Sequence, residues 1–186
     1  MVLSTETSAS TVKRAVFAGG CFWCMQPPFD RVAGVTLTTV GYTGGNTPDP
    51  TYEQVSSGRS GHVEAIEVVY DPGQVSYEQL LDVFWKSIDP TDTGGQFADQ
   101  GSQYQTAVFY ADEHERQIAQ ASKDALTALG KFKQPLATQI LPCKVFYPAE
   151  EYHQHYYLKN VLHYKMYKKG SGREDFVNRT WGNMIK

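Results

Sequence analysis

Apolar residues run almost without interruption from Val12 to Ala18, broken only by Lys13 and Arg14 near the start, and the run stops at Gly19 and Gly20. That reads as a buried strand closed by a Gly-rich turn, with a helix opening at Cys21 and running to Arg31. A second β-rich run, Val35 to Tyr42, ends at Gly44 and Gly45 and completes a βαβ unit. His62 to Tyr70 is a third strand, closed by Asp71, Pro72 and Gly73. Beyond it Tyr77, Leu80, Leu81, Phe84, Trp85 and Ile88 fall on one stripe of a helix that begins near Ser76. A fourth strand is expected over Gln103 to Tyr110. It leads into a helix capped by Asp112 with Glu115 three residues on, bearing Ile118, Ala121, Ala125, Leu126 and Leu129, and stopped by Gly130.

The succession β, α, β, β, α, β predicts an α+β fold, a two-layer ferredoxin-like (split βαβ) core of sheet and helices, with further elements added towards the C-terminus. Two connections are long and polar, Thr43 to Gly61 and Asp89 to Ser102. Long structureless loops in a small domain are expected to carry function. From Lys159 the chain turns basic and tyrosine-rich without clear period, which predicts a solvated arm lying over the domain. The expected organisation is therefore a flexible segment over residues 1–11, a catalytic domain over 12–158, and a C-terminal extension of the same domain over 159–186.

A chain of 186 residues suits one domain with its own core. The formal net charge of −3 gives no electrostatic footprint for nucleic acid. The opening residues lack the apolar core of a secretion signal, and no apolar run is long enough to cross a bilayer, so the expected compartment is the cytoplasm, with no membrane partner and a monomeric state. Three cysteines are too few for a secreted disulfide framework, and two of them form a Cys-x-x-Cys pair, Cys21 and Cys24, which in a reducing compartment points to redox chemistry.

Cys21 is the residue that most needs an explanation. It stands where a helix begins, and a helix N-terminus offers partial positive charge and unpaired N–H groups, so a thiol there is expected to ionise readily and act as a nucleophile. Such a nucleophile needs an acid for the leaving oxygen, hydrogen-bond donors and an apolar wall. Glu64 alternates with Ile66, Val68 and Tyr70, which aims its carboxyl at an apolar face where burial raises its pKa. Glu67 faces the other way. Tyr104, at the start of the fourth strand, and Tyr52, in the first long loop, are candidate phenolic donors. Asp99 in the second loop can hold a substrate N–H, and Phe22 with Trp23 can line a pocket for a methyl-sulfur group.

These blocks together resemble the A-type peptide methionine sulfoxide reductases. The resemblance runs from about Val16 to Tyr157 and rests on Gly20-Cys21-Phe22-Trp23, on Gly41-Tyr42-Thr43-Gly44-Gly45, and on Pro50-Thr51-Tyr52 through to Gly61-His62-Val63-Glu64. It continues in Asp89-Pro90-Thr91, in Asp99-Gln100-Gly101-Ser102-Gln103-Tyr104, and in Phe146-Tyr147-Pro148-Ala149-Glu150 with Tyr152-His153-Gln154. It implies that Cys21 is the nucleophile, that Phe22 and Trp23 wall the methyl pocket, that Glu64, Tyr52 and Tyr104 engage the sulfoxide oxygen, and that Asp99 helps bind the substrate. It further implies reduction of the S-epimer of methionine sulfoxide, free or in proteins, through a sulfenic acid on Cys21, with no bound cofactor or metal and with a thioredoxin-type dithiol as external reductant.

The chain has no cysteine after Cys143, so the sulfenic acid must be resolved by Cys24, by Cys143 or by an external thiol. Cys24 is the expected resolver, because side chains at i and i+3 share a helix face at a separation compatible with a disulfide. Cys143 is expected to be a buried structural thiol. Two other readings compete: a thioredoxin-like disulfide exchanger, which leaves Glu64 and Tyr104 unexplained, and a zinc-binding module using Cys21, Cys24, Cys143 and His153 or His155.

Overall fold

A computed structural model describes residues 12–182. The expected segment over residues 1–11 lies outside the described residues. The main sheet contains β1 (Lys13–Gly19), β2 (Val35–Thr43), β3 (Val63–Tyr70), β6 (Thr106–Tyr110), β7 (Gln139–Pro142) and β8 (Tyr147–Pro148). Its order is β7-β6-β1-β3-β2-β8. The four central strands pair antiparallel in the order β6-β1-β3-β2, consistent with a split βαβ core, while β7 runs parallel to β6 and β8 antiparallel to β2. The helices between them are α1 (Phe22–Asp30), α2 (Tyr52–Ser56), α3 (Tyr77–Lys86) and α4 (Glu113–Ala128).

The principal core lies where one face of the sheet meets α1, α3 and α4. Ala15 and Phe17 of β1, Ile66, Val68 and Tyr70 of β3 and Val108 of β6 bury themselves there with Met25, Phe29, Leu80, Leu81, Phe84 and Ile88. The stripe read along α3 is therefore the packed face, and Ser76 caps the helix through reciprocal bonds with Gln79. Asp112 caps α4 by accepting from Glu115 N, while the Glu115 carboxylate turns back to Ala111 N. A smaller cluster on the other sheet face joins Val16, Ala18, Ala65, Ala107 and Phe109.

Three expectations change. Tyr104 does not open the fourth strand; it closes a 3-10 turn over Ser102–Tyr104, and the strand starts two residues later at Thr106. The long connections are not structureless, since the first holds α2 with a complete Thr51–Gln54 capping box and the second folds a two-stranded hairpin, β4 (Gly95–Gln96) with β5 (Asp99–Gln100). The tail is not a solvated arm. It forms α5 (Tyr156–Lys159), α6 (Val161–Gly170) and α7 (Arg173–Trp181), and buries Tyr164, Arg173 and Trp181, the last within the principal core. The Arg173 guanidinium donates to Gly19 O at 2.9 Å and Ser87 O at 2.7 Å, which ties α7 to the end of β1.

Candidate active site

The turn between β1 and α1 builds the site. Gly20 sits at φ +78°, where an L side chain is strained, and a Cβ on it would lie 2.4 Å from Gln96 Cβ. Gly19 is equally confined, since its Cβ would meet Met25 Sδ at 2.4 Å. The two glycines thus let the chain reverse under the β4–β5 hairpin and present Cys21 as the N-cap residue of α1. The Cys21 thiol makes no capping bond. Instead Glu64, two residues into β3, reaches across and accepts the Phe22 N–H on Oε2 at 3.0 Å. Glu64 is 2% exposed and shares the sheet face of Ile66 and Val68, as the alternation predicts. Burial, with Asp99 and Cys24 nearby, pushes its pKa up to about 8, against the opposing pull of the Phe22 N–H. At neutral pH Glu64 is a protonated acid.

The cysteine pair departs from expectation. Cys21 and Cys24 are both buried, and their sulfurs are hydrogen-bonded. Burial raises the Cys21 thiol well above its ordinary value; the neighbouring Cys24 and the charge of Glu64 add to this, and the Tyr167 hydroxyl beside it opposes it. Cys24 is held down to about 7, first by the Cys21 hydrogen bond and then, against burial, by the Arg173 guanidinium. Of the two thiols, Cys24 is therefore the more readily ionised. A helix N-terminus favours a thiolate only where solvent or donors reach it, and the first N–H of α1 is already given to Glu64.

Tyr52 opens α2 and Tyr104 closes the 3-10 turn, and both are half-buried. Burial raises the Tyr52 hydroxyl to about 12 and Tyr104 further, with Glu64, Asp99 and Cys21 adding charge to both, so both phenols stay protonated beside the Cys21–Glu64 pair. Asp99, in β5, is there too, but its Oδ2 accepts from the Tyr167 hydroxyl of α6. The Tyr167 hydroxyl also lies beside Cys21. The structure thus brings Cys21, Cys24, Glu64, Tyr52, Tyr104 and Asp99 together and adds Tyr167, which the sequence reading missed inside its aperiodic tail. The one available signal was Tyr164 and Tyr167 three residues apart, one helical face.

Phe22 is fully buried with Val40, Tyr42 and Val55, whereas Trp23 is only partly covered. Trp23 stacks on Tyr156 with ring centroids 3.9 Å apart and donates from Nε1 to His153 Nδ1 at 3.0 Å. Burial keeps the His153 imidazole below its ordinary pKa, so it is neutral and accepts that bond. Glu150 links the parts, with Oε1 accepting from Tyr52 N and Oε2 from the Tyr42 hydroxyl. Cys143 is the clearest correction among the cysteines: it is exposed, just past the end of β7, because β7 is an edge strand with no layer over its end. Among the described residues no group of three or more His, Cys, Asp or Glu side chains gathers as a metal site would require.

The peptide methionine sulfoxide reductase family model matches residues 13–185. The chain belongs to the peptide methionine sulfoxide reductase family. The family match runs through the C-terminal helices, so α6 and α7 fall within the stretch it shares with other peptide methionine sulfoxide reductases. The MsrA of Bacillus subtilis is 52% identical over 168 residues, 90% of this chain and 95% of that protein. Among solved structures, methionine sulfoxide reductase A of Corynebacterium diphtheriae aligns with a TM-score of 0.72 at 35% identity, covering 81% of this chain and 76% of that one. Reduced Mxr1 of Saccharomyces cerevisiae aligns at 0.76 and 30%, covering 82% and 88%. Family membership displaces the thioredoxin-like exchanger and the zinc module as readings of this peptide methionine sulfoxide reductase chain.

Proposed function

We propose that the protein reduces the S-epimer of methionine sulfoxide, free or in proteins, to methionine, and that the pairing of a thiol with a protonated carboxyl at the start of α1 carries the reaction. Cys21 passes its proton to the Cys24 sulfur as its own sulfur attacks the sulfoxide sulfur. Glu64 gives its proton to the oxygen, and the Tyr52 and Tyr104 phenols donate hydrogen bonds to it. The new bond between the Cys21 and substrate sulfurs and the substrate's sulfur–oxygen bond then break as the hydroxyl passes to the Cys21 sulfur, which leaves Cys21 as a sulfenic acid and releases methionine. Cys24 then attacks the sulfenic sulfur; a disulfide forms and the hydroxyl leaves as water. Two external thiols reduce that disulfide, and Glu64 recovers its proton from solvent. Phe22 and Trp23 flank the methyl group, and the Asp99 Oδ1, which carries no hydrogen bond from the described residues, takes a substrate N–H.

The external thiols fit a thioredoxin-type donor; yeast Mxr1 has been solved in complex with Trx2. The test is a single turnover without reductant. Wild type yields one methionine per protein and a Cys21–Cys24 disulfide by peptide mapping. Cys21→Ser yields none, and Cys24→Ser yields one methionine but does not recycle with a dithiol. Product from Cys21→Ser, or a disulfide involving Cys143, overturns the assignment.

A further inference from the structure

Cys24 lines a cavity of about 690 Å³ bounded by α1, α3, α6 and α7. Cys24 is recessed there, lining the cavity although it is only 4% exposed. The wall is rich in cations. Lys86 is paired with Asp82 at 2.6 Å and Lys168 lies 3.7 Å from Glu174, while Arg31 has no carboxylate within ion-pair distance among the described residues and Arg173 is committed to backbone carbonyls. Two positive charges are left over, one of them, Arg31, exposed.

Resting on Cys24 as resolver, we propose that this cavity is the entry port of a low-molecular-weight thiol bearing carboxylates, which reduces the Cys21–Cys24 disulfide at Cys24 while the sulfoxide uses the Cys21 side. Access decides which sulfur of a disulfide is attacked, and only Cys24 lies on this cavity. A small thiol reaches a recessed sulfur without moving α6 or α7, so this route stands beside recycling by a protein donor. The cavity is of the size that encloses a small ligand. In the step itself the incoming thiolate bonds to Cys24 Sγ, the disulfide breaks, and Cys21 leaves as a thiolate at the N-terminus of α1. A second small thiol takes the first from Cys24, giving the oxidised small disulfide and two protein thiols.

Glutathione, with two carboxylates, is the probe, against uncharged dithiothreitol and a thioredoxin. The oxidised protein is first mapped for the Cys21–Cys24 disulfide. Expected are saturable recycling by glutathione, an acid-quenched glutathione adduct on Cys24, and a rise of about fivefold or more in the KM for glutathione in Arg31→Glu. In that variant dithiothreitol recycling, the KM for sulfoxide and the single-turnover yield stay unchanged. Val177→Trp, which fills the cavity from α7, is expected to act in the same direction. A glutathione adduct on Cys21, or non-saturable recycling indifferent to both variants, overturns the port. Loss of thioredoxin recycling in the variants with glutathione unaffected overturns the small-thiol occupant. Failure to find the Cys21–Cys24 disulfide at the outset refutes Cys24 as resolver, and the port falls with it.

Discussion

Glu64 shows how one residue couples stability to chemistry. Its pKa of about 8 in the fold, against 4.5 for an ordinary glutamate, means that between those values the unfolded chain releases a proton the folded protein keeps. Stability therefore falls as pH rises from about 4.5 to about 8, by on the order of a few kcal/mol, and levels off above. Glu64→Gln keeps an acceptor for Phe22 N–H but has no proton to lose. Its melting temperature is expected to stay flat over that range and to exceed wild type at pH 8, while sulfoxide reduction slows by roughly 10²-fold or more. A parallel pH slope in both proteins would remove the buried acid from the account. Wild-type turnover is expected to decline above about pH 8, as the acid ionises. Tyr167 offers a second residue-scale test: its hydroxyl beside Cys21 opposes the effect of burial there, so in a Cys24→Ser background Tyr167→Phe moves the pH profile of Cys21 alkylation upward. An unmoved profile, read by peptide mapping, contradicts that influence.

At the scale of elements, α3 and α4 carry caps that stand out along the chain and lie where the sequence predicts them, whereas α2, with an equally complete capping box, lies inside an expected loop. Ser76 and Gln79 satisfy two end groups of α3 reciprocally, and Ser76→Ala is expected to cost about 1 kcal/mol, a drop of roughly 2–4 °C in melting temperature measured by calorimetry. An unchanged midpoint would show that packing of the apolar stripe alone holds α3. The tail helices behave differently. α6 and α7 begin without side-chain caps, so local chemistry announces neither start. They are held instead by side chains reaching distant parts of the chain, Tyr167 to Asp99 and Arg173 to Gly19 and Ser87. The strand expected over Gln103 to Tyr110 began late for a related reason: Gln103 is turned to Ser56 O, and the residues before Thr106 serve the first long loop rather than the sheet.

On the scale of the whole molecule the tail belongs to the same packed unit as the sheet. Trp181 lies in the principal core with Phe84, and Lys131 sits over its ring. Unfolding followed by far-ultraviolet circular dichroism and by tryptophan fluorescence is therefore expected to give coincident transitions. A separate early fluorescence transition would mark α7 as an independent appendage. The same packing sets the approach to the site, because α6, whose Tyr167 touches Trp23 and Asp99, also walls the cavity at Cys24.

The sequence by itself determined the alternating and 3.6-residue patterns of the central strands and of α1, α3 and α4, and it placed a thiol at a helix start and a carboxyl on an apolar sheet face. Periodicity and turn chemistry act over a few residues, and they leave their mark locally. Only the tertiary structure decided that Cys24 rather than Cys21 is the more readily ionised thiol, that Cys143 is exposed, and that Tyr167 closes over the site. Each depends on desolvation or on partners more than sixty residues away, and no local pattern encodes the distance between such groups.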